Sequence, residues 1–479
     1  MPKSKSARST RPLRQVVGLE VLEARLALSV SPGTLPLGIS PKDWSDPLIS
    51  SVATEQRLPP LTTAQVLNLQ SKPGSNFTIY LDFDGQLTTG TDWNTSYGMD
   101  PIISPPFDLD GNTTSFNQTE LERILISWQR TAEDYAPFDV NVTTRDPGTA
   151  ALINSGGGDA QWGARAIVTV DNFAACGCGG FAYLNSFGDS VGTPTFVFNL
   201  GEGSLGETFS HEVGHMLGLN HDGLNAGAQE YYRGHGTGAL GWGAIMGAPF
   251  DQNITQWDRG EYFDTSNTFD NDLQVITTQN GFTYRADDVG NTRPLSANLN
   301  VLGTTTVNAF GIIETGTDLD YFRFETGTGT VSFDLSPLAS RPNVDLWAGL
   351  YSSAGALVAQ SNPGAIQSAS LLNIPVSAGT YYLRVEGIGS HDTYQAGTDT
   401  LVPPAAPAPW TISPPAGYSN YGSLGQYKVS GTIPAPGSDL FTIVATDAVK
   451  LEGNSGQQAF TFTVTRSGNT ASAATVQYA

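Results

Sequence analysis

Apolar and polar residues alternate over 77–83 (Phe-Thr-Ile-Tyr-Leu-Asp-Phe), a β-branched run that predicts a strand. The period then becomes helical. Between 118 and 135, Leu121, Ile124, Leu125, Trp128, Ala132 and Tyr135 fall on one face. Asn117 offers an N-cap, Glu120 completes a capping box, and Pro137 stops the helix. Short strands are predicted at 138–143, 166–170, 180–184 and 195–198, and a second helix over 204–219. That order predicts a mixed α/β (α+β) domain with a twisted sheet. Past about 286 helical periodicity disappears. Alternating runs at 321–324, 331–335 and 381–385 predict an all-β sandwich, interrupted by a Pro/Ala-rich loop at 398–417. From Leu440 two or three further strands follow. About forty residues cannot bury a core alone, so this segment is expected to belong to a longer protein or to be completed by another chain.

With 479 residues the chain is multidomain. The expected divisions are 1–29, 30–75, 76–286, 290–435 and 440–479. The first is basic (Lys3, Lys5, Arg8, Arg11, Arg14, Arg25), with an apolar run cut short by Glu20, and reads as an export leader. The second, rich in Pro and Ser, reads as a linker or pro-segment. Acidic residues outnumber basic ones, 45 to 23, and the net charge of -22 excludes nucleic acid and anionic membrane surfaces as partners. No run of about 20 apolar residues is present, so no transmembrane helix is expected. The two cysteines, Cys176 and Cys178, cannot form a disulfide framework. They read as a redox or metal pair or as a local disulfide.

The chemistry is concentrated in Ser-His-Glu-Val-Gly-His-Met-Leu-Gly-Leu-Asn-His, residues 210–221. On a helix, His211 and His215 share a face four residues apart. Gly218 can take a positive φ, end the helix and bring His221 back as a third imidazole. Three neutral nitrogens leave one tetrahedral position open, as a catalytic zinc site requires, with Glu212 beside it as general base. A closed structural site would need a fourth protein ligand. Asp222 is adjacent, but reads better as a residue that orients its neighbours. Three of the five histidines fall in this one segment.

This extended motif resembles the metzincin metallopeptidases. The resemblance spans roughly 76–285 and implies a Met-turn, for which Met246 stands 25 residues after His221. Some metzincins carry a tyrosine ligand two residues after that methionine; here the position is Ala248, so no fifth ligand is expected from it. It also implies peptide substrates pairing as an added strand along an edge near 181–187. Residues 311–324, 344–346 and 378–385 resemble a bacterial pre-peptidase C-terminal domain, and 448–468 the opening of a Calx-beta domain. The segment 19–29 is similar to a leader found on large exported planctomycete proteins. Calcium is the second ion the sequence allows, at Asp318 and Asp320 or at Asp108-Leu109-Asp110-Gly111-Asn112, where a solvated turn is the other reading. His235 reads as structural, and His391 carries no signal.

The sequence therefore points to a secreted or cell-surface zinc endopeptidase acting on proteins or peptides, with a β region separable from catalysis. The rival is a surface-adhesion or matrix protein with an inert protease-like domain.

Overall fold

The computed structural model describes residues 16–17, 60–267, 270–337, 341–364, 366–394, 401–437, 440–447 and 461–467. Residues 1–15 and 18–29 of the expected leader, 30–59 of the expected linker, and 448–460 and 468–479 of the Calx-beta-like segment lie outside these residues. The molecule is multidomain: a mixed α/β region carrying the histidine motif, then sheets of β-strands.

The α/β region comprises β1 (Val16–Val17), α1 (Thr63–Val66), β2 (Phe77–Asp82), β3 (Gln86–Thr88), α2 (Asp92–Tyr97), β4 (Ile102–Ser104), α3 (Gln118–Asp134) and β5 (Asn141–Thr143). It continues with β6 (Trp162–Val168), β7 (Gly180–Tyr183), β8 (Thr195–Val197), α4 (Leu205–Leu217), β9 (Trp242–Ala244), β10 (Ile254–Gln256) and α5 (Asp272–Gln279). The main sheet runs β1-β7-β8-β6-β2-β5. Strands β5, β2, β6 and β8 are parallel, whereas β7 is antiparallel to β8 and β1 to β7. Helices α3 and α4 pack together on this sheet.

Helix α3 forms where its pattern places it. Asn117 accepts from Glu120 N, Glu120 answers the Asn117 N–H, and all six apolar positions are buried. Leu121, Ile124 and Leu125 each contribute on the order of 1.5–3 kcal/mol of burial. The expected strand at 138–143 is shorter in the structure. Phe138 bridges to Tyr284 and Asp139 N donates to Thr283 O, so the first half pairs with the segment closing the domain and only Asn141–Thr143 joins β2. Residues 60–75, read from sequence as linker, include α1, whose Val66 is 1% exposed and whose neighbours hydrogen-bond Thr143 and Thr144. Helix α2 and the β3–β4 pair have no counterpart in the sequence reading.

The sandwich has two five-stranded sheets. One orders Ala297–Asn298, Asp320–Thr326, Gly379–Gly387, Leu346–Ser352 and Leu357–Ser361; the other Asn300–Leu302, Thr306–Ile313, Gly425–Thr432, Gly329–Pro337 and Ala369–Val376. Its strand sides alternate, with Val331, Phe333 and Leu335 buried and Asp334 outward. It is fastened to the α/β region by polar contacts. Gln426 donates to the buried Glu133, Asn343 to Asp134, and Arg341 to Gly203 O and Phe250 O. Leu440–Asp447 and Thr461–Ser467 pair as an isolated antiparallel hairpin.

Candidate metal centre

Helix α4 lies beneath β7 and β8 and ends at Gly218, whose φ of 108° is in the left-handed region. Its amide closes the last turn on Gly214 O and His215 O. The chain then reverses, and His221 returns to the helix face that carries His211 and His215. The ring centroids lie 4.7 Å (211–215), 5.3 Å (211–221) and 4.6 Å (215–221) apart. One ligand atom from each lies within 4.8 Å of the others, with His211 Nε2 and His215 Nε2 3.1 Å apart. Two nitrogens each about 2.1 Å from one tetrahedral ion would stand roughly 3.4 Å apart, so this pair is within a few tenths of an ångström of zinc geometry.

The opposite nitrogens explain that convergence. His211 Nδ1 donates to Ile245 O (2.9 Å), His215 Nδ1 to Leu219 O (2.7 Å), and His221 Nδ1 to Glu230 Oε1 (3.0 Å). Carbonyl and carboxylate oxygens can only accept, so Nδ1 carries the proton and Nε2 keeps its lone pair. Burial pushes His211 down to about 4 and His215 to about 3, with the His211 ring adding to the latter; burial also lowers His221. At neutral pH all three are uncharged, the form a metal needs.

Met246, fully buried, lies under the helix. A Cβ on Gly214 would stand 2.5 Å from its sulfur, so any larger residue there would force the methionine to shift. Met246 O accepts from Asp222 N, and Gly247 N closes a turn on Ala244 O. Asp222 is not grouped with the triad. Its Oδ1 accepts from Asn267, and burial raises its carboxyl well above the usual range. Glu212, 4% exposed, lines a small cleft with Gly179, Gly180, Thr208, His211, Tyr231, Gly247, Ala248 and Phe250.

Two residues here carried no sequence signal. Tyr231 Oη stands 3.3 Å from His221 Nε2 with ring centroids 4.5 Å apart, and Glu230 holds the same ring from its other side. Both come from the segment between the third histidine and Met246, which has no fixed spacing; only the adjacent tyrosines there could have drawn notice.

The other candidates sort simply. Cys176 and Cys178 are disulfide-bonded to each other, with Cα atoms 5.2 Å apart. Asp108, Asp110 and Glu120 bring carboxylate oxygens within 4.8 Å of one another, and the same groups also hold the turn: Asp108 Oδ1 accepts from the amides of residues 110, 111 and 112, and Glu120 from Leu109 N and Asn117 N, so both the calcium-loop and the solvated-turn readings stay open. His235 bridges the Tyr232 hydroxyl and Gly417 O, a structural tie to the sandwich loop. Asp318 and Asp320 are joined by Asp287, which the sequence reading did not include.

A three-histidine centre beside a buried glutamate, at the antiparallel edge of a mixed sheet, is the arrangement of a metal-dependent hydrolase. Residues 118–222, from the start of α3 to just past His221, match the model of the M12B reprolysin-like metallopeptidase family. The match supports a metalloprotease-type hydrolase with protein substrates, from a family that depends on zinc. Among solved structures, the pre-peptidase C-terminal domain of a Bacillus anthracis collagenase is 16% identical, covering 29% of this chain and 99% of that one, with a TM-score of 0.18. PliG, a periplasmic inhibitor of g-type lysozyme from Aeromonas hydrophila, is 9% identical, covering 29% and 94%, also at 0.18. No curated protein matches the chain. Among the described residues no helix is long and apolar enough to cross a membrane.

Proposed function

We propose that the protein is a secreted zinc endopeptidase of metzincin type. The observation that carries this reading is the convergence of His211, His215 and His221 on one point, with every Nδ1 tied back, beside Glu212 in the same cleft. When bound, zinc acidifies a water and polarises a carbonyl oxygen. Glu212 takes the proton of the attacking water on its carboxylate and returns it to the leaving amine. Met246 supports the helix under the ligands. Strand β7, whose outer side is met only by the two residues of β1, is the strand along which an extended peptide would pair. Supporting this, Val16 and Val17 of the chain itself pair antiparallel with Tyr183 and Ala182 there. Secretion is inferred from the basic N-terminal segment and its leader-like stretch 19–29.

Calcium fits a second place, where the α/β region meets the sandwich. Asp287, Asp318 and Asp320 offer oxygens within 4.8 Å of one another. Glu314 beside them is 2% exposed, and its carboxyl lies against that of Asp318, sharing a proton with it in the ion-free protein. A hard cation with oxygen ligands would satisfy that set. Surface or matrix association is the second reading, favoured by the outward Ile443, Val444, Phe462 and Val464 of the terminal hairpin, each more than half exposed.

The test is metal analysis with cleavage of an unstructured protein, with and without chelator. About one zinc per chain is expected, lost in His211→Ala, His215→Ala and His221→Ala, with chelator-sensitive cleavage. A zinc-loaded protein that cleaves nothing would support the inert-domain rival; full zinc occupancy in His221→Ala would remove the three-ligand assignment.

A further inference from the structure

Tyr231 is held at the ligand cluster by its surroundings. Tyr232 N donates to Asp222 O (2.6 Å) and Ala248 N to Tyr232 O (2.8 Å), so this strand is strapped between the residue after the third histidine and the residue two beyond Met246. The buried Tyr232 ring stacks on Tyr262 with centroids 4.3 Å apart, and its hydroxyl meets His235. Tyr231 is half-buried and faces the Glu212 cleft. Among the described residues, the only hydrogen-bond partner of its hydroxyl is His221 Nε2.

That partner is the atom a metal would claim. With Nδ1 of His221 committed to Glu230, the ring has a single lone pair, on Nε2. An ion that takes it leaves the Tyr231 proton without an acceptor, beside the open position of the centre. The next acceptor to arrive there is the substrate carbonyl oxygen. Donors placed where negative charge develops, in a site shielded from water, stabilise the transition state more than the ground state. Ala248, on the same cleft, has no group able to do this.

We propose, resting on the peptidase reading above, that Tyr231 is a further catalytic residue, whose hydroxyl donates a hydrogen bond to the oxyanion formed from the scissile carbonyl. The hydroxyl keeps its proton throughout, and Glu212 alone carries protons between water and leaving amine. The role differs from packing against His221, which the ring alone would satisfy.

The experiment compares full-length wild type, Tyr231→Phe and Tyr231→Ala for zinc content, zinc affinity, peptide kinetics and the affinity of a phosphinate peptide, a tetrahedral anionic mimic of the transition state. Tyr231→Phe should keep zinc content and affinity and lower kcat about 100-fold with little change in KM. Phosphinate affinity should weaken by a similar factor, while an uncleaved ground-state competitor binds as before. Tyr231→Ala should resemble Tyr231→Phe if the hydroxyl is what matters. Unchanged kcat and phosphinate affinity in Tyr231→Phe would overturn the proposal. So would a fall in zinc affinity that accounts for the lost rate, which would make Tyr231 a positioning residue for His221. Wild type that neither holds zinc nor cleaves peptide would overturn the peptidase reading as well, and that is read from the unsubstituted protein alone.

Discussion

The histidine centre and the acidic cluster at the seam with the sandwich solve opposite electrostatic problems. Around α4, burial holds His211 and His215 down at about 4 and 3, so the cluster is uncharged at neutral pH and ready for a metal without losing protons. At the seam with the sandwich, burial first, then Asp318 and Asp288, pushes Glu314 up to about 10, and Asp320 is raised well above its ordinary range. The Glu314 carboxyl therefore holds its proton at neutral pH unless a cation takes its place. The first centre is preorganised in its binding form; the second would have to give up protons to take an ion. The first also belongs to one helix and its return turn, whereas the second gathers residues from both sides of a domain boundary.

The sharpest way to break the reading of the first centre is Glu212→Gln. Gln is isosteric and Glu212 is not one of the three grouped imidazoles, so zinc and fold should be kept while the rate falls on the order of 100-fold to 10,000-fold. Zinc content and peptide hydrolysis measured on the same preparation decide it. A zinc-loaded variant working at near wild-type rate would refute the general-base role even if the ligand assignment stood.

A smaller effect is expected at Glu230, whose carboxylate orients His221 through Nδ1 at 3.0 Å. Removing partners of this kind typically lowers metal affinity by about 10-fold to 100-fold. Because the Glu230 side chain is 61% exposed, Glu230→Gln should fall near 10-fold, measured by competition with a chelator. No change would mean that His221 is oriented by its backbone turn alone.

The seam should answer to calcium through stability instead of rate. A ligand at about 100 times its dissociation constant adds about 2.7 kcal/mol. For a chain of this kind that amounts to a Tm rise on the order of 5 °C. Asp320→Asn should abolish the rise and leave the zinc content alone. The sign with pH follows from the raised carboxyls. In the calcium-free protein their contribution is fully present below about 4.5, the ordinary value for Glu314, and fades as pH rises toward about 10. Calcium binds the deprotonated form, so the calcium increment in Tm should grow between pH 5 and 8. An increment that is flat with pH would place the ion elsewhere.

How much of this was legible beforehand follows from the same contrast. The spacing of His211, His215, Gly218 and His221 is a local statement about helix period and a left-handed glycine, so the sequence contains it. Helix α3 was equally plain, since its cap, its face and its stop lie within twenty residues. Asp287 could not be joined to Asp318 and Asp320 without knowing that the end of one domain passes the connection between Thr306–Ile313 and Asp320–Thr326, which crosses from one sheet of the sandwich to the other. Tyr231 was missed because its approach to His221 is fixed by Tyr232 packing on Tyr262, a contact across thirty residues. The expectation that the sandwich is separable from catalysis meets the polar joint of Glu133, Asp134, Arg341, Asn343 and Gln426. Asn343 donates to Asp134, which accepts from Ser210, the residue before His211. Composition marks where one fold gives way to another but not how firmly the two are joined.

The smallest expected effect tests that joint. Glu133 is fully buried at the end of α3 and accepts from Gln426 N and Nε2 of the sandwich. Burial raises its carboxyl to about 7, with the Gln426 bonds opposing and Asp134 adding to the rise. A folded value above the unfolded one of about 4.5 means that the group stabilises fully below pH 4.5 and that this contribution is lost as pH rises through 7. The histidines act with the opposite sign. Their lowered values make them stabilise above about 6.5 and lose that contribution as pH falls toward 4. Glu133→Gln removes the carboxyl titration and keeps one of the two oxygens that Gln426 uses, a loss that does not vary with pH, and it leaves the histidines in place. Calorimetry should therefore show the variant losing less Tm than wild type between pH 5 and pH 8, by a few degrees, with the histidine contribution common to both. An identical pH dependence in the two proteins would mean that Glu133 keeps one protonation state across that range and that the joint is insensitive to pH at this position.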